Sequence, residues 1–161
     1  MQLLFGSKVF ELVGHCKAPV MVLCETSNII EKGFERILLP VAPHDDFLKK
    51  VEAAADWIAE EGVISIYAID KPGVGLDDDI QRNIEQTKAY LDEHGVSWEF
   101  LKEDADWFSV GNAQQTLDFM KKNHVDLVAI MGEVSETNRH FGKMDKESVI
   151  LNPYGIATLL A

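Results

Sequence analysis

Short apolar runs alternate with stretches of helical spacing along the whole chain. The runs are 19–24, 36–41, 63–69, 97–102, 126–131 and 156–160, each of strand length. Between the second and third, Phe47, Val51, Ala54, Ala55 and Ile58 recur as one face of a helix. Asp45 or Asp46 is placed to cap that helix and Gly62 to stop it. Ile80, Ile84, Thr87 and Leu91 repeat the spacing up to Gly95. Ala113, Leu117 and Met120 repeat it again, behind a cap at Ser109 or Asn112. Ahead of the first strand, Val9, Phe10, Leu12 and Val13 form a short amphipathic run, read as a helix over 7–16.

Strands joined by helical crossovers cannot close as hairpins, so they must pair parallel. The pattern therefore predicts an α/β fold with a doubly wound parallel sheet. The run 19–24 stands apart. No helical stretch separates it from 36–41, only the linker Glu25 to Gly33, which is long enough to carry the chain around the sheet.

Composition narrows the function. At 161 residues, 47% of them hydrophobic, the chain holds one full domain plus about thirty residues. The net charge of −12, from 15 basic and 27 acidic residues, repels phosphate backbones and anionic lipid. Nucleic acid and membrane surfaces are thus disfavoured partners. The acids, such as Glu52, Asp56, Glu60 and Glu61 or Asp77 to Asp79, read as solvated faces. No apolar run approaches the ~18 residues that span a bilayer, and no export signal precedes the first strand, so the expected location is cytoplasmic. Cys16 and Cys24 flank the first strand, about 25 Å apart when extended at ~3.3 Å per residue. That is far beyond disulfide reach, and both are expected as reduced thiols.

Residues 1–24 and 142–161 are two versions of one ending. The first runs through Gly6-Ser7, an apolar stretch, Ala18-Pro19 and the strand Val20 to Leu23. The second runs through Gly142, then Val149, Ile150 and Leu151, then Gly155 and Ile156 to Ala161. The single beginning is FERILLPVAPHDD from 34, and a late strand with its glycine is Asp126 to Gly132. In this order the landmarks resemble the universal stress protein family. The resemblance implies a complete domain over 34–161, preceded in 1–30 by the helix and last strand of another repeat. It implies a five-stranded parallel sheet of the adenine nucleotide alpha-hydrolase-like type, order 3-2-1-4-5. An extra antiparallel edge strand, 19–24, then pairs with 156–160. It also implies association, as a homodimer or with a tandem partner domain, through those last strands.

Nucleotide-binding members of that family place an Asp after the first strand and cradle phosphates with Gly-x-x-Gly, nine residues, then Gly-Ser or Gly-Thr. Glycine amides and a helix N-terminus suit an anion. In this chain the corresponding positions are Ala42, Ile69, Gly132, Ser135, Gly142 and Lys143. Only Gly132 keeps the pattern outright: Ala42 replaces the Asp, Ser135 the second glycine, and Asp145-Lys146 or Gly142-Lys143 the closing pair. Each charged hydrogen bond lost costs about 1.5–3 kcal/mol, roughly ten- to hundredfold in affinity. The expectation is a non-catalytic, stress-response or regulatory module without a cofactor. The alternative is an ATP- or AMP-binding member, with Mg and slow or no hydrolysis, that uses Lys143 or Lys146 in place of the lost amides.

Other chemistry is weaker. His44, Asp45 and Asp46, with Arg139 and His140, could meet as a metal or acid–base cluster, but the two Asp residues also suit a helix cap. Ser135 lacks the sharp elbow of a hydrolase nucleophile. His15, His94 and His124 lie near expected helix C-termini, where imidazole is favoured without catalysis. Trp57, Trp98 and Trp107 read as core or interface residues, with Trp107-Phe108 a candidate docking pair.

Overall fold

The computed structural model of the protein describes residues 12, 15–27, 31–70, 73, 75–105, 112–132 and 143–161, with backbone alone at 112 and 143–145. Its strands are β1 (Val20–Val22), β2 (Phe34–Pro40), β3 (Ile58–Asp70), β4 (Trp98–Asp104), β5 (Leu127–Ile130) and β6 (Ala157–Leu160). Its helices are α1 (Phe47–Ala55), α2 (Asp78–Glu93), α3 (Asn112–Lys122) and α4 (Lys143–Ile150). One sheet carries all six strands in the order β1-β6-β5-β2-β3-β4. Read from the β4 edge, β2 to β6 give the expected order 3-2-1-4-5. Every pairing is parallel except β1 with β6.

The central strand β2 is buried on both faces, as a parallel strand covered by two helix layers must be. Ile37 and Leu39 face a core shared with Phe47 and Val51 of α1 and Ile80, Ile84 and Leu91 of α2. Leu38 faces the opposite core, with Leu117, Phe119 and Met120 of α3 and Val149 and Ile150 of α4. Helices thus cover both faces, and the winding reverses between β2 and β5.

The helix ends follow local chemistry. Asp77 caps α2, its carboxylate accepting from the Asp79 amide at 2.9 Å. Gly95, at φ 66°, ends that helix, and the Val96 amide bonds back to Leu91 at 2.9 Å. At the start of α1, Asp46 takes the capping position as expected. Its carboxylate makes no cap bond and instead accepts from Lys49 Nζ at 2.8 Å. Helix α3 begins at Asn112, and Ser109 lies outside the described residues.

Ile58 and Gly62 depart from the expectation. Helix α1 stops at Ala55, and Ile58 opens β3 opposite Phe34 instead of continuing the helix. The register then shifts, from Phe34 opposite Ile58 to Arg36 opposite Val63, so five steps along β3 face two along β2. Gly62 sits within this irregularity and is not a helix stop. A Cβ there would stand 2.8 Å from the Phe34 carbonyl oxygen. Pairing with β2 overrides the helical periodicity.

Strand β1 is shorter than 19–24, but it pairs antiparallel with β6 as expected: Val20 opposite Leu160, Met21 opposite Leu159, Val22 opposite Thr158. The segment behind it is tied to the turn before β6. Ser27 Oγ accepts from the Cys24 amide at 2.9 Å and donates to the Gly155 carbonyl at 2.7 Å. Cys16 and Cys24 are free thiols. The expected helix at 7–16 falls almost wholly outside the described residues. No described helix is long and apolar enough to cross a membrane.

Candidate functional site

In an open parallel sheet the crevice for a ligand lies at the carboxyl ends of the strands where the winding reverses. Here that place is between β2 and β5. Their ladder is brief: Ile37 pairs with Leu127 and Leu38 with Val128, and pairing ends there although both strands continue. Pro40 accounts for the stop, because it has no amide hydrogen to extend a ladder. The Val41 amide bonds to Tyr67 of β3 at 2.8 Å, so by strand alternation the preceding carbonyl, that of Pro40, turns toward β5. Across the gap, Gly132 and Ala161 exchange with the β6 side: Gly132 N–H donates to Ala161 O, and Ala161 N–H to Ile130 O. The Met131 carbonyl therefore turns toward β2. Two carbonyls face a crevice with no strand between them.

A lysine bonds to each. Lys50 of α1 donates from Nζ to Pro40 O at 2.6 Å, and Lys146 of α4 donates to Met131 O at 2.9 Å. Both side chains are buried, with 1% and 2% of their surface exposed. Lys50 Nζ also lies 4.1 Å from the centroid of the Phe47 ring, a cation–π contact. No carboxylate pairs with Lys50 among the described residues. Burial, and secondarily the charge of Lys146, hold the Lys50 ammonium well below the ordinary lysine range.

The loop after β2 is pinned from α2. Asn83, fully buried, donates from Nδ2 to Ala42 O at 2.8 Å and to His44 O at 3.0 Å. Its Oδ1 is buried without a partner, as is Oδ1 of Asp70 at the end of β3. The other oxygen of Asp70 accepts from Lys102 at 3.0 Å, while Tyr67 donates to Glu103 at 2.8 Å. Burial and the Glu103 carboxylate push the Tyr67 phenol far above its ordinary range.

The structure brings some of the expected site residues to this crevice. Ala42 is buried at the end of β2, and Ile69 is half-buried near the end of β3. Gly132 follows β5, but its amide is engaged by Ala161 at 2.7 Å and is not presented to a ligand. Lys143 opens α4, and its side chain lies outside the description, as do Ser135 and Gly142. Asp45 lies 3.6 Å from Arg82, and Asp46 pairs with Lys49. Arg139, His140, Trp107 and Phe108 lie outside the described residues, among which no cluster of His, Cys, Asp or Glu has the make-up of a metal site. Of the other tryptophans, Trp57 is exposed and Trp98 half-buried, its indole donating to Asp92 at 2.7 Å. His94 caps α2 and stacks on Tyr90, and His124 ends α3 at φ 52°.

Lys50 and Asn83 do not emerge from a reading of apolar periodicity. The signal was their place in it. Lys50 stands three residues after Phe47 and four before Ala54, on the apolar face of α1. Lys146 stands likewise, three before Val149 and four before Ile150. A cavity of about 770 Å³, with Lys32, Arg36, Glu60 and Glu61 at its walls, opens instead at the amino ends of β2 and β3, away from the crevice.

No family model and no curated protein matches the chain. Among solved structures it is similar to a protein of the universal stress protein family from Burkholderia pseudomallei, with 14% identity and a TM-score of 0.43. That similarity covers 59% of this chain and 79% of the other.

Proposed function

We propose that the chain is a non-catalytic regulatory module of the universal stress protein type. It acts by association, and its nucleotide crevice is closed by its own side chains. The observation that carries this reading is the pair Lys50 and Lys146, each buried at the reversal point and each bonded to a strand-end carbonyl. Two lysine side chains stand where a ligand would enter, and the Gly132 amide is already taken. The loss of the Asp at Ala42 points the same way. The ATP- or AMP-binding alternative gives Lys143 or Lys146 to the phosphates; of the two, Lys146 turns its Nζ inward to Met131 O.

Association belongs to the other edge. Among the described residues Val20–Val22 is the edge strand beyond β6, with Leu23 exposed beside it. In this reading the edge pairs with a second copy or with a tandem partner domain, 1–30 being the end of a preceding repeat and 34–161 a complete one. A melt with and without Mg-ATP tests the closed crevice, together with the 260/280 nm absorbance ratio of the purified protein. A ligand at a hundred times its dissociation constant adds about 2.7 kcal/mol of stability. No shift and a nucleotide-free spectrum are expected. A saturable shift with Mg-ATP would return the alternative.

A further inference from the structure

We infer that the cavity at the amino ends of β2 and β3 binds a basic amino acid, a ligand with one carboxylate and two cationic groups. The site lies at the other end of the sheet from the crevice and is independent of the nucleotide reading. Its volume of about 770 Å³ falls within the ~300–1,000 Å³ of small-molecule sites. The register shift builds it. Between Phe34 and Arg36, two steps of β2 face five of β3, so the extra residues of β3 bulge out of the ladder. Such bulges re-aim side chains. Here Glu60 and Glu61 of β3 line the gap together with Glu35 and Arg36 of β2. Gly33 packs so close to the start of β3 that a Cβ on it would stand 2.7 Å from Trp57 O, which holds Lys32 at the same opening.

The charges of the lining specify the ligand. Lys32 and Arg36 are cationic, Glu35, Glu60 and Glu61 anionic, and all five are exposed. Among the described residues none of the five makes an ion pair, although both signs line one cavity. A ligand that spans the gap satisfies both signs at once. A carboxylate suits Arg36, whose guanidinium takes it in two parallel hydrogen bonds, with Lys32 as a second charge. Ammonium or guanidinium groups suit the glutamates. Two cations against three carboxylates leave the lining at −1, so the complementary ligand carries +1, as one carboxylate and two cations do. A phosphate or dicarboxylate would meet the three acids, and a plain diamine would meet Lys32 and Arg36. The chain's net charge of −12 favours a ligand of the same positive sign. Ala59 and Val63, both half-buried in the lining, offer apolar contact to the methylenes between the two cationic groups.

The test titrates the full ¹⁵N-labelled chain by NMR at neutral pH and low ionic strength, where exposed charges are least screened. The ligands are free lysine and arginine, with norleucine, which lacks the side-chain cation, and cadaverine, which lacks the carboxylate. Saturable amide shifts confined to 32–36 and 59–63 are expected with lysine and arginine. Norleucine and cadaverine should each bind about fivefold more weakly, the upper worth of one exposed ion pair. Arg36→Gln should weaken lysine binding by the same factor, as should Glu60→Gln combined with Glu61→Gln. Should a variant fail to fold, the ligand series on the wild-type chain decides alone. No saturable shift, or shifts centred elsewhere, would overturn the inference. So would norleucine or cadaverine binding as tightly as lysine, or a folded Arg36→Gln that binds lysine undiminished.

Discussion

The Lys50 ammonium donates to the carbonyl of Pro40, ten residues upstream, at 2.6 Å and out of contact with water. Helix α1 is thereby fastened to the end of β2 at the one place where the sheet stops supplying a partner. A pH dependence follows, with a definite sign. The folded state holds the Lys50 proton less tightly than the unfolded chain, whose lysines titrate near ~10.4. The stabilisation is therefore fully present above ~10.4 and is lost as pH falls toward the depressed folded value. The stability of wild type relative to Lys50→Met should rise steadily as pH is raised from neutral toward 10, measured by urea unfolding at each pH. Taking the difference removes Lys102 and the tyrosines Tyr67 and Tyr90, whose raised values act in the opposite direction. A flat difference would show that Lys50 is not held in a charge-hostile site.

Gly155 should be far less replaceable than Gly95. Both adopt positive φ, 72° and 66°, but a Cβ at Gly95 meets nothing within 4 Å whereas one at Gly155 runs into Thr26 Oγ1. Gly95→Ala is expected to cost about 1–2 kcal/mol, the strain of the left-handed conformation alone. Gly155→Ala should cost clearly more and loosen the segment behind β1. Adding Thr26→Ala should return it to the Gly95→Ala level in denaturant titrations. Equal costs for the two single variants would mean that the Thr26 segment does not pack on the turn before β6.

Asn152 organises that same turn. Its amide donates to Val149 O and Ile156 O at 2.9 Å, and its oxygen accepts from Tyr154 N at 3.2 Å and Ile156 N at 3.0 Å. All of this lies in a side chain that is almost wholly buried. Asn152→Ala strands buried backbone groups and should cost at least about 2 kcal/mol. Asn152→Asp should be no better, since it loses both donors and buries a charge. A loss below about 1 kcal/mol for either would contradict the network.

At the β1 edge, sedimentation velocity at tens of micromolar should give a dimer. Leu23→Asp, placed on an exposed side chain next to β1, should shift it to monomer and remove the dependence of the melting temperature on protein concentration. A monomeric wild-type chain would remove the homodimer reading and leave a tandem partner as the remaining form of association.

The parallel sheet was legible because apolar runs such as Ile37, Leu38 and Leu39 lie between helical crossovers, whereas the strand order came from the family resemblance alone. The pairing of β1 with β6 was legible from the duplicated endings. Ile58 was misread because apolar spacing carries on past the true end of α1, and pairing with Phe34 decides the matter at a distance that periodicity does not see. At the site, Ala42 and Gly132 were found from the motif they interrupt or keep. Lys50 and Asn83 were missed because polar residues on an apolar helix face are ordinarily counted as solvated. Their reason to be buried is the Pro40 carbonyl beyond the end of the β2–β5 ladder and the loop carbonyls of Ala42 and His44.

The closed crevice is tested most directly by a crystal structure of the full chain grown with Mg-ATP in excess. Lys50 Nζ should remain on Pro40 O and Lys146 Nζ on Met131 O, with no nucleotide between β2 and β5. Nucleotide density in that gap, with either lysine swung onto a phosphate, would contradict the account.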